Sequence, residues 1–411
     1  MFIVISKDSP RVVMLNHLTN TNTLVIAPSY QEERYEKFLA QGYSVPKVKF
    51  LKDFTLPNIV LEIRKVQLSN EVQSITTLSE EDMDWVGILH DHFVNKNTKY
   101  VSNILFKDKY LMRSLLIDKV AQPYFRLLSN IDDYNIFWIN SSTDKAIIKP
   151  RYGSGSERVI KLNRGENIET WEENFFSSRY IIEEFINFEN MLSCDGYSVG
   201  KDIVRFFSHD YGELLMESLQ KTNDNIVRTN NIYYTDINFL WSVFKECSKI
   251  LEVFSLEGEL TPFHFEWFYD INTKQIYFCE VGKRFGGGSI PFLIKYSFDV
   301  DILQEYWLNL TSDVIQKDCI KKKEELPIPN VISATYSSYK RNGTIVEIPD
   351  LEKFNWTLNT WFFASEGEKT KQSASIVDCL FISEFISKTD EEYYENLKKI
   401  RSLAEEVKYI L

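Results

Sequence analysis

Cysteine is scarce: the 411 residues hold five, Cys194, Cys247, Cys279, Cys319 and Cys379, an odd number with no C-x-x-C pair. That set fits neither a disulfide framework nor a structural zinc site, and it points to a reducing compartment. Glycine and proline are also few, 15 and 11, which excludes collagen-like and low-complexity chains. An excess of positive charge is missing. Lys and Arg number 47 against 59 Asp and Glu, a formal net charge of -12, so no global basic field draws nucleic acid or an anionic membrane. No apolar run approaches the roughly 20 residues that span a bilayer, and the apolar start of the chain is cut short by Lys7 and Asp8. The expectation is a cytoplasmic, unanchored protein with neither nucleic-acid nor membrane partners. What is present is the balance of a folded chain, 44% hydrophobic and 26% charged, long enough for about two to four domains.

Short apolar runs closed by turn residues, Phe2 to Ile5, Val12 to Leu15 and Thr23 to Ala27, read as strands, and Tyr30 to Ala40 reads as a helix. Residues 58–68 and 71–77 repeat this alternation in weaker form, so the chain opens on an α/β layer. After Ser79 the stretch EEDMDWVGILHDHF starts as a capped helix with acids in its first turn, and a first domain is expected to end near residue 105. KDKYLMRSLLIDK, residues 107–119, keeps helical spacing until Gln122-Pro123 interrupts it. Strand signals follow at Ala146 to Lys149, Val159 to Leu162, Tyr180 to Ile186, Ile203 to Ser208 and Glu213 to Ser218, then a helix from Phe239 to Phe254. His264 to Tyr269 and Gln275 to Val281 pair as a hairpin across the Asp270 to Lys274 turn. Residues 321–329 read as a linker, Asn342-Gly343 as a turn and the stretch from Glu391 as an amphipathic helix.

Three segments carry chemistry. AIIKPRYGSGSERVIKL, residues 146–162, is a strand ending in Lys149, a Gly/Ser loop and a second strand. Glycines let backbone N–H groups approach phosphate oxygens, and a lysine beside them supplies a fixed cation; alone, the segment reads equally well as a flexible hairpin. YIIEEFINFEN, residues 180–190, delivers Glu183, Glu184 and Glu189 at the end of an apolar strand, where backbone groups can meet a purine edge and a carboxylate can accept ribose hydroxyls. In FHFEWFYDINTKQIYFCEVGKRFGGGSIP, residues 263–291, Glu266 and Glu280 each interrupt an apolar strand, where an acid is costly unless paired or metal-bound. Two convergent carboxylates suit Mg²⁺ with substrate phosphates. Arg284 follows four residues after Glu280, ahead of Gly286, Gly287 and Gly288, and places a guanidinium where charge can develop on a reacting carboxyl or phosphoryl group. His264 shares the face of Glu266 and reads as a substrate contact or a packed histidine. His90 and His92 read as a solvated surface pair, His209 as an exposed residue before a turn, and Arg205 and Arg228 as surface residues or holders of a substrate carboxylate.

Taken in order, DKYLMRSLL, IIKPRYGSGS, IIEEFINFE, HFEWF and EVGKRFGGGSIP, over roughly residues 105–295, resemble the ATP-grasp ligases, and among them the carboxylate–amine ligases that include bacterial L-amino acid (dipeptide) ligases. The resemblance implies an ATP-grasp fold of the α/β and α+β class: a Rossmann-like domain at 1–105, a small lid at 106–186 and a larger α+β domain at 187–411 whose tail starts about residue 325. It implies ATP and Mg²⁺, with Mn²⁺ as a substitute. Lys109 and Lys149 would contact phosphates, Gly153, Ser154, Gly155 and Ser156 would cover them, and Glu183, Glu184, Phe185 and Ile186 would hold adenine. Glu189 would take the ribose, Glu266 and Glu280 the metal, and Arg284 with Lys149 would act in catalysis. Arg284, Gly287, Gly288 and His264 would meet substrate. One departure is Gly282, where many ATP-grasp enzymes place an Asn two residues after the second glutamate. The activity implied is amide formation between amino-acid-like carboxylate and amine substrates through an acyl phosphate, with release of ADP and phosphate, in a setting such as peptide or antibiotic biosynthesis. The alternatives are loading of an amino acid onto the phosphopantetheine thiol of an acyl carrier protein, or a nucleotide-binding module without turnover. A homodimer is also implied.

Overall fold

Apolar runs without alternation, such as TLVIAP, suit parallel strands covered on both faces. In the computed structural model, which describes residues 1–94, 98–153, 155, 158–166, 176–212, 214, 218, 223–312 and 318–410, that run is an inner strand. Phe2–Ile5 (β1), Thr23–Pro28 (β2), Lys47–Leu51 (β3) and Ser74–Thr76 (β4) form a parallel sheet in the order β3-β2-β1-β4. Helices Leu56–Gln67 and Met83–Phe93 bury Ile59, Ile63, Val86 and Leu89 against its Ile3, Ile5 and Ile26. Val12 to Leu15 is not a strand: Met14 turns left-handed (φ 47°) and Leu15–Leu18 is a 3-10 helix, so Val13, Leu15 and Leu18 are buried as single anchors. Lys47–Leu51 escapes the sequence reading because its charged residues alternate along a sheet edge.

The next sheet is antiparallel. Phe125–Leu128 (β5), Lys145–Pro150 (β6), Ile160–Asn163 (β7) and Tyr180–Glu184 (β8) stand in the order β5-β8-β6-β7. Helix Ile131–Asn140 covers it with Phe137 and Trp138, and its core holds Ala146, Ile148, Leu162 and Ile182.

The largest sheet uses Asn190–Val199 (β9), Asp202–Tyr211 (β10), Asp224–Thr229 (β11), Leu260–Asp270 (β12), Gln275–Gly282 (β13) and Ile332–Tyr339 (β14). Beyond them come Gly343–Glu347 (β15), Asn359–Phe362 (β16), Lys369–Thr370 (β17), Cys379–Ser387 (β18) and Lys408–Ile410 (β19). The eight-stranded order is β13-β12-β9-β10-β11-β14-β18-β16, all antiparallel, and β17-β15-β19 forms a small separate sheet. The main core lies beneath β9, β10 and β12, where helix Ile237–Phe254 buries Leu240, Val243, Cys247, Ile250 and Leu251 at helical spacing. Helices Ile290–Phe298 and Ile302–Thr311 extend it, and Trp307 ties it to the opening segment by donating to the Val13 carbonyl at 2.7 Å. The expected strand at Glu213 to Ser218 falls largely outside the described residues. No described helix is long and apolar enough to cross a membrane.

One glycine of the central strand is set by contact. A Cβ at Gly196 would lie 1.9 Å from the Arg205 carbonyl oxygen on the neighbouring strand, and backbone cannot step aside as a side chain can. Gly196→Ala is expected to cost about 2–3 kcal/mol, read as a lower urea midpoint with an unchanged m-value.

Candidate functional site

The site is assembled from the first helix after residue 105 and from the strands it packs upon. Helix Lys109–Leu115 is capped by Asp108, whose buried carboxylate accepts from the N–H groups of Tyr110 and Leu111 at 3.0 and 3.3 Å. The same carboxylate holds the Arg151 guanidinium and the Tyr152 hydroxyl, so the cap also anchors the loop that leaves β6. Lys109, at the first position of the helix, donates to the Gly153 carbonyl at 2.7 Å and lies 3.2 Å from Glu280 Oε2. Gly153 and Gly155 have φ of 145° and 65°, conformations that side chains avoid. Ser154 and Ser156 lie outside the described residues.

One turn further along this helix, Arg113 is 1% exposed. Its Nε meets Glu183 Oε2 at 3.1 Å, while Nη1 and Nη2 donate to the carbonyls of Phe278 and Cys279 at 2.9 and 2.8 Å. Lys149 Nζ takes the other Glu183 oxygen at 2.5 Å. Burial alone would push the Glu183 carboxyl up, but the two cations overcome it and hold it below its ordinary value of 4.5. The Glu183 side chain is therefore turned into an ion pair, and the Glu184 carboxylate accepts from Ser142 N at 2.6 Å and Tyr124 N at 3.2 Å. The N–H groups of Glu184 and Phe185 go to the Tyr124 and Lys145 carbonyls, so Ile186 is the position of that run outside these bonds. The Phe185 ring lies under Lys161 Nζ at 3.7 Å. Glu189 is exposed just ahead of β9.

The hairpin delivers both acids to one place. Glu266 on β12 stands opposite Glu280 on β13, and the pairing then slips so that Trp267 faces Phe278 and Cys279 is an extra residue. This is a β-bulge, a device that re-aims side chains beside functional sites, and the carbonyls on it are the ones Arg113 grips. Burial raises the Glu280 carboxyl, but Lys109 and Lys149 hold it well below the ordinary range, so it is ionised. Glu266 Oε1 accepts from the Tyr211 hydroxyl at 3.0 Å and lies 3.4 Å from His264 Nε2. The other ring nitrogen, Nδ1, lies 2.8 Å from Asp195 Oδ1. Desolvation opposes a charge on His264, yet Asp195 and Glu266 outweigh it and raise the group to about 9. Arg284 is partly exposed and stands beside Glu80, Glu266 and Glu280, which favour its charge, Glu80 the most. Glu80, Lys109, Met112, His264, Glu280 and Arg284 line one cleft.

The glycine run after Arg284 divides by role. Gly286 donates its N–H to Asp195 Oδ1 at 2.9 Å, and a Cβ there would lie 2.6 Å from Asp195 and 2.7 Å from His264. A Cβ at Gly287 would meet nothing within 4 Å, and Gly288 has φ 59° ahead of the helix Ile290–Phe298.

The sequence reading missed Glu80, Arg113, Ser193, Asp195 and Tyr211. A signal was there for some: S-x-D at 193–195 and H-x-Y at 209–211 place polar residues on one face of otherwise apolar strands. Ser193 stands opposite Glu266 and Asp195 opposite His264. Four other readings are corrected. His209 is wholly buried in β10, 3.6 Å from Asp195. His90 is buried and accepts from the Ile75 N–H at 3.3 Å. Ser79 does not cap a helix, since residues 80–82 form a 3-10 turn with no side-chain cap. Arg228 is buried rather than at the surface and pairs with Asp390 at 2.8 Å, whereas Arg205 keeps its surface role, partly exposed and paired with Glu305 at 2.8 Å.

Neither a protein-family model nor a curated protein matches the sequence. Solved structures do. The L-amino acid ligase from Bacillus licheniformis superposes with a TM-score of 0.75 at 15% identity, over 100% of this chain and 98% of the other. An N5-carboxyaminoimidazole synthetase from Staphylococcus aureus, complexed with ADP, gives 0.68 at 14% identity over 97% and 96%. A phosphoribosylglycinamide synthetase from Anaerococcus prevotii gives 0.66 at 11% identity over 100% and 99%. The chain has the ATP-grasp fold.

Glu183→Gln leaves two buried cations without their counter-charge and is expected to cost about 3–5 kcal/mol at neutral pH. Because the folded carboxyl lies below its unfolded value of 4.5, its contribution is whole above that pH and is lost as pH falls through the folded value. Urea titrations from neutral to acid pH should therefore show the gap between wild type and variant narrowing on the acid side.

Proposed function

We propose that this chain is an ATP-dependent carboxylate–amine ligase that joins amino-acid-like substrates through an acyl phosphate, releasing ADP and phosphate. The observation that carries it is the cross-strand pair of Glu266 and Glu280, with Glu280 opening on a cleft whose walls also hold Lys109, Arg284 and His264. Similar solved structures, an L-amino acid ligase and an ADP-complexed synthetase among them, support the same reaction class. In this reading residues 1–105, 106–186 and 187–411 act as base, lid and main domain, with ATP between the last two.

Glu266 and Glu280 fit Mg²⁺. They are hard oxygen donors, Glu280 is held ionised, and the described residues offer no group of three such ligands, which matches an ion that completes its shell with phosphate oxygens and water. When bound, the ion would neutralise charge on the ATP phosphates. The chain's own part is positioning and charge. Lys109 and Lys149 stand where the glycine loop would cover the phosphates, each already fixed by a buried carboxylate or backbone carbonyl. Arg284 would balance negative charge on the substrate carboxylate as its oxygen attacks the γ-phosphorus and ADP leaves. An amine then attacks the acyl carbon, phosphate departs and the amine loses a proton. Phosphoryl transfer asks little covalent help of the protein, and bringing the three reactants together supplies much of the rate. The lid would keep water from the acyl phosphate.

Glu280→Ala is expected to lower ADP release by about 100-fold or more with circular dichroism unchanged, and excess EDTA should abolish release from the wild type. The product is expected to be ADP together with a new mass equal to the two substrates less water. AMP, or near-normal turnover in a well-folded Glu280→Ala variant, would contradict the assignment.

A further inference from the structure

Three acids in a row, Glu80, Glu81 and Asp82, make the 3-10 turn between β4 and the helix Met83–Phe93. The turn is gripped on both flanks. Lys7 Nζ lies 2.8 Å from Asp82 and 3.5 Å from Glu81, and Lys107 donates to the Glu81 carbonyl at 2.7 Å while pairing with Asp84 at 2.8 Å. Held this way, the turn sends Glu80 into the cleft, where its Oε2 lies 2.5 Å from Arg284 Nε. Arg284 Nη1 donates to the Phe285 carbonyl at 3.0 Å. Gly282 borders this contact: a Cβ at that position would touch Arg284 at 3.4 Å and Glu80 Oε2 at 3.8 Å, both ordinary van der Waals distances.

A structural latch alone does not account for this placement. A guanidinium stays charged at any ordinary pH without an acid beside it, so Arg284 needs no acid from the first sheet merely to remain charged. A carboxylate carried from the first sheet to the one cation expected to meet a substrate carboxylate is instead placed to read what accompanies that carboxylate. We propose, resting on the ligase reading above, that Glu80 is the specificity-determining residue that receives the ammonium group of the acid substrate, while Arg284 receives its carboxylate. An α-amino acid carries opposite charges one carbon apart, and Glu80 with Arg284 presents opposite charges in direct contact, so the zwitterion matches the pair when it lies antiparallel to it. A des-amino acid brings only a carboxylate next to Glu80, a like-charge contact that rejects it.

Hydroxylamine supplied in place of the amine traps an activated acid as its hydroxamate, so ADP and hydroxamate report on the first substrate alone. The comparison pairs L-alanine with propionate, L-leucine with isocaproate and L-phenylalanine with hydrocinnamate, in wild type, Glu80→Gln and Glu80→Asp. Glu80→Gln keeps the shape and an acceptor for Arg284 but removes the charge. The wild type is expected to favour the amino acid in kcat/KM by about tenfold or more. Glu80→Gln is expected to lose that preference, through a KM raised about tenfold for the amino acid and unchanged or lowered for its des-amino partner, and Glu80→Asp to restore part of it. Equal losses on both members of each pair would overturn the assignment and leave Glu80 as a prop for Arg284, with the ligase reading intact. No ADP from any acid in the wild type would overturn the ligase reading and the role of Glu80 with it. If Glu80→Gln fails to fold, the wild-type pairs decide, and equal use of both members overturns the assignment.

Discussion

Glu183 sits between Arg113 and Lys149 with almost no water around it, and this one carboxylate joins the pieces from which the site is made. Lys149 lies near the end of a strand of the small antiparallel sheet, Glu183 belongs to the next strand over, and Arg113 reaches Glu183 from a helix outside that sheet. The remaining guanidinium nitrogens hold the bulge carbonyls of Phe278 and Cys279 on the largest sheet. A buried charge needs its partners in place, so Lys149, the small antiparallel sheet and the hairpin of Glu266 and Glu280 share one geometry. Such a triad is weak as a source of stability against an apolar equivalent, and its value here is position: a cation fixed beside a glycine loop before any phosphate arrives.

A second constraint follows from strand alternation. Residues two apart on neighbouring strands share a face, and on β9, β10, β12 and β13 that face collects Ser193, Asp195, His209, Tyr211, His264, Glu266 and Glu280. The opposite face is mostly apolar, and its Leu192, Cys194, Phe206, Phe263 and Phe265 share a core with the helix Ile237–Phe254. Within the polar face each group has a neighbour of complementary character, Asp195 joining His264 to the Gly286 N–H, and Tyr211 donating to Glu266. Asp195 thus ties the glycine run to the strand that carries His264 and Glu266, which is why Gly286 has no space for a side chain.

How much of this was legible in the sequence depended on the range of the interaction. The hairpin of Glu266 and Glu280, the helix Ile237–Phe254 and the first parallel strands announced themselves by local periodicity and turn residues, which act over a few positions. Asp195 lay in a strand whose neighbours are 60 or more positions away on one side, as the His264 contact at a separation of 69 shows, and no local pattern marks such a partner. Arg113 read as one of several basic residues on an amphipathic helix, because its partners lie 70 and 165 positions on. Glu80 was hidden differently: acids after Ser79 have a sufficient local explanation as a helix start, and only the fold brings one of them to Arg284, 204 residues away.

The central claim, that the ion-paired lysine and its loop are built to hold a nucleotide phosphate chain, is tested most directly by calorimetric titration of Mg-ADP into the wild type and into Lys149→Met. The account predicts saturable one-to-one binding to the wild type and an affinity about tenfold or more weaker in the variant, with both proteins folded. Equal affinity in the two proteins, or no binding to the wild type, would contradict it.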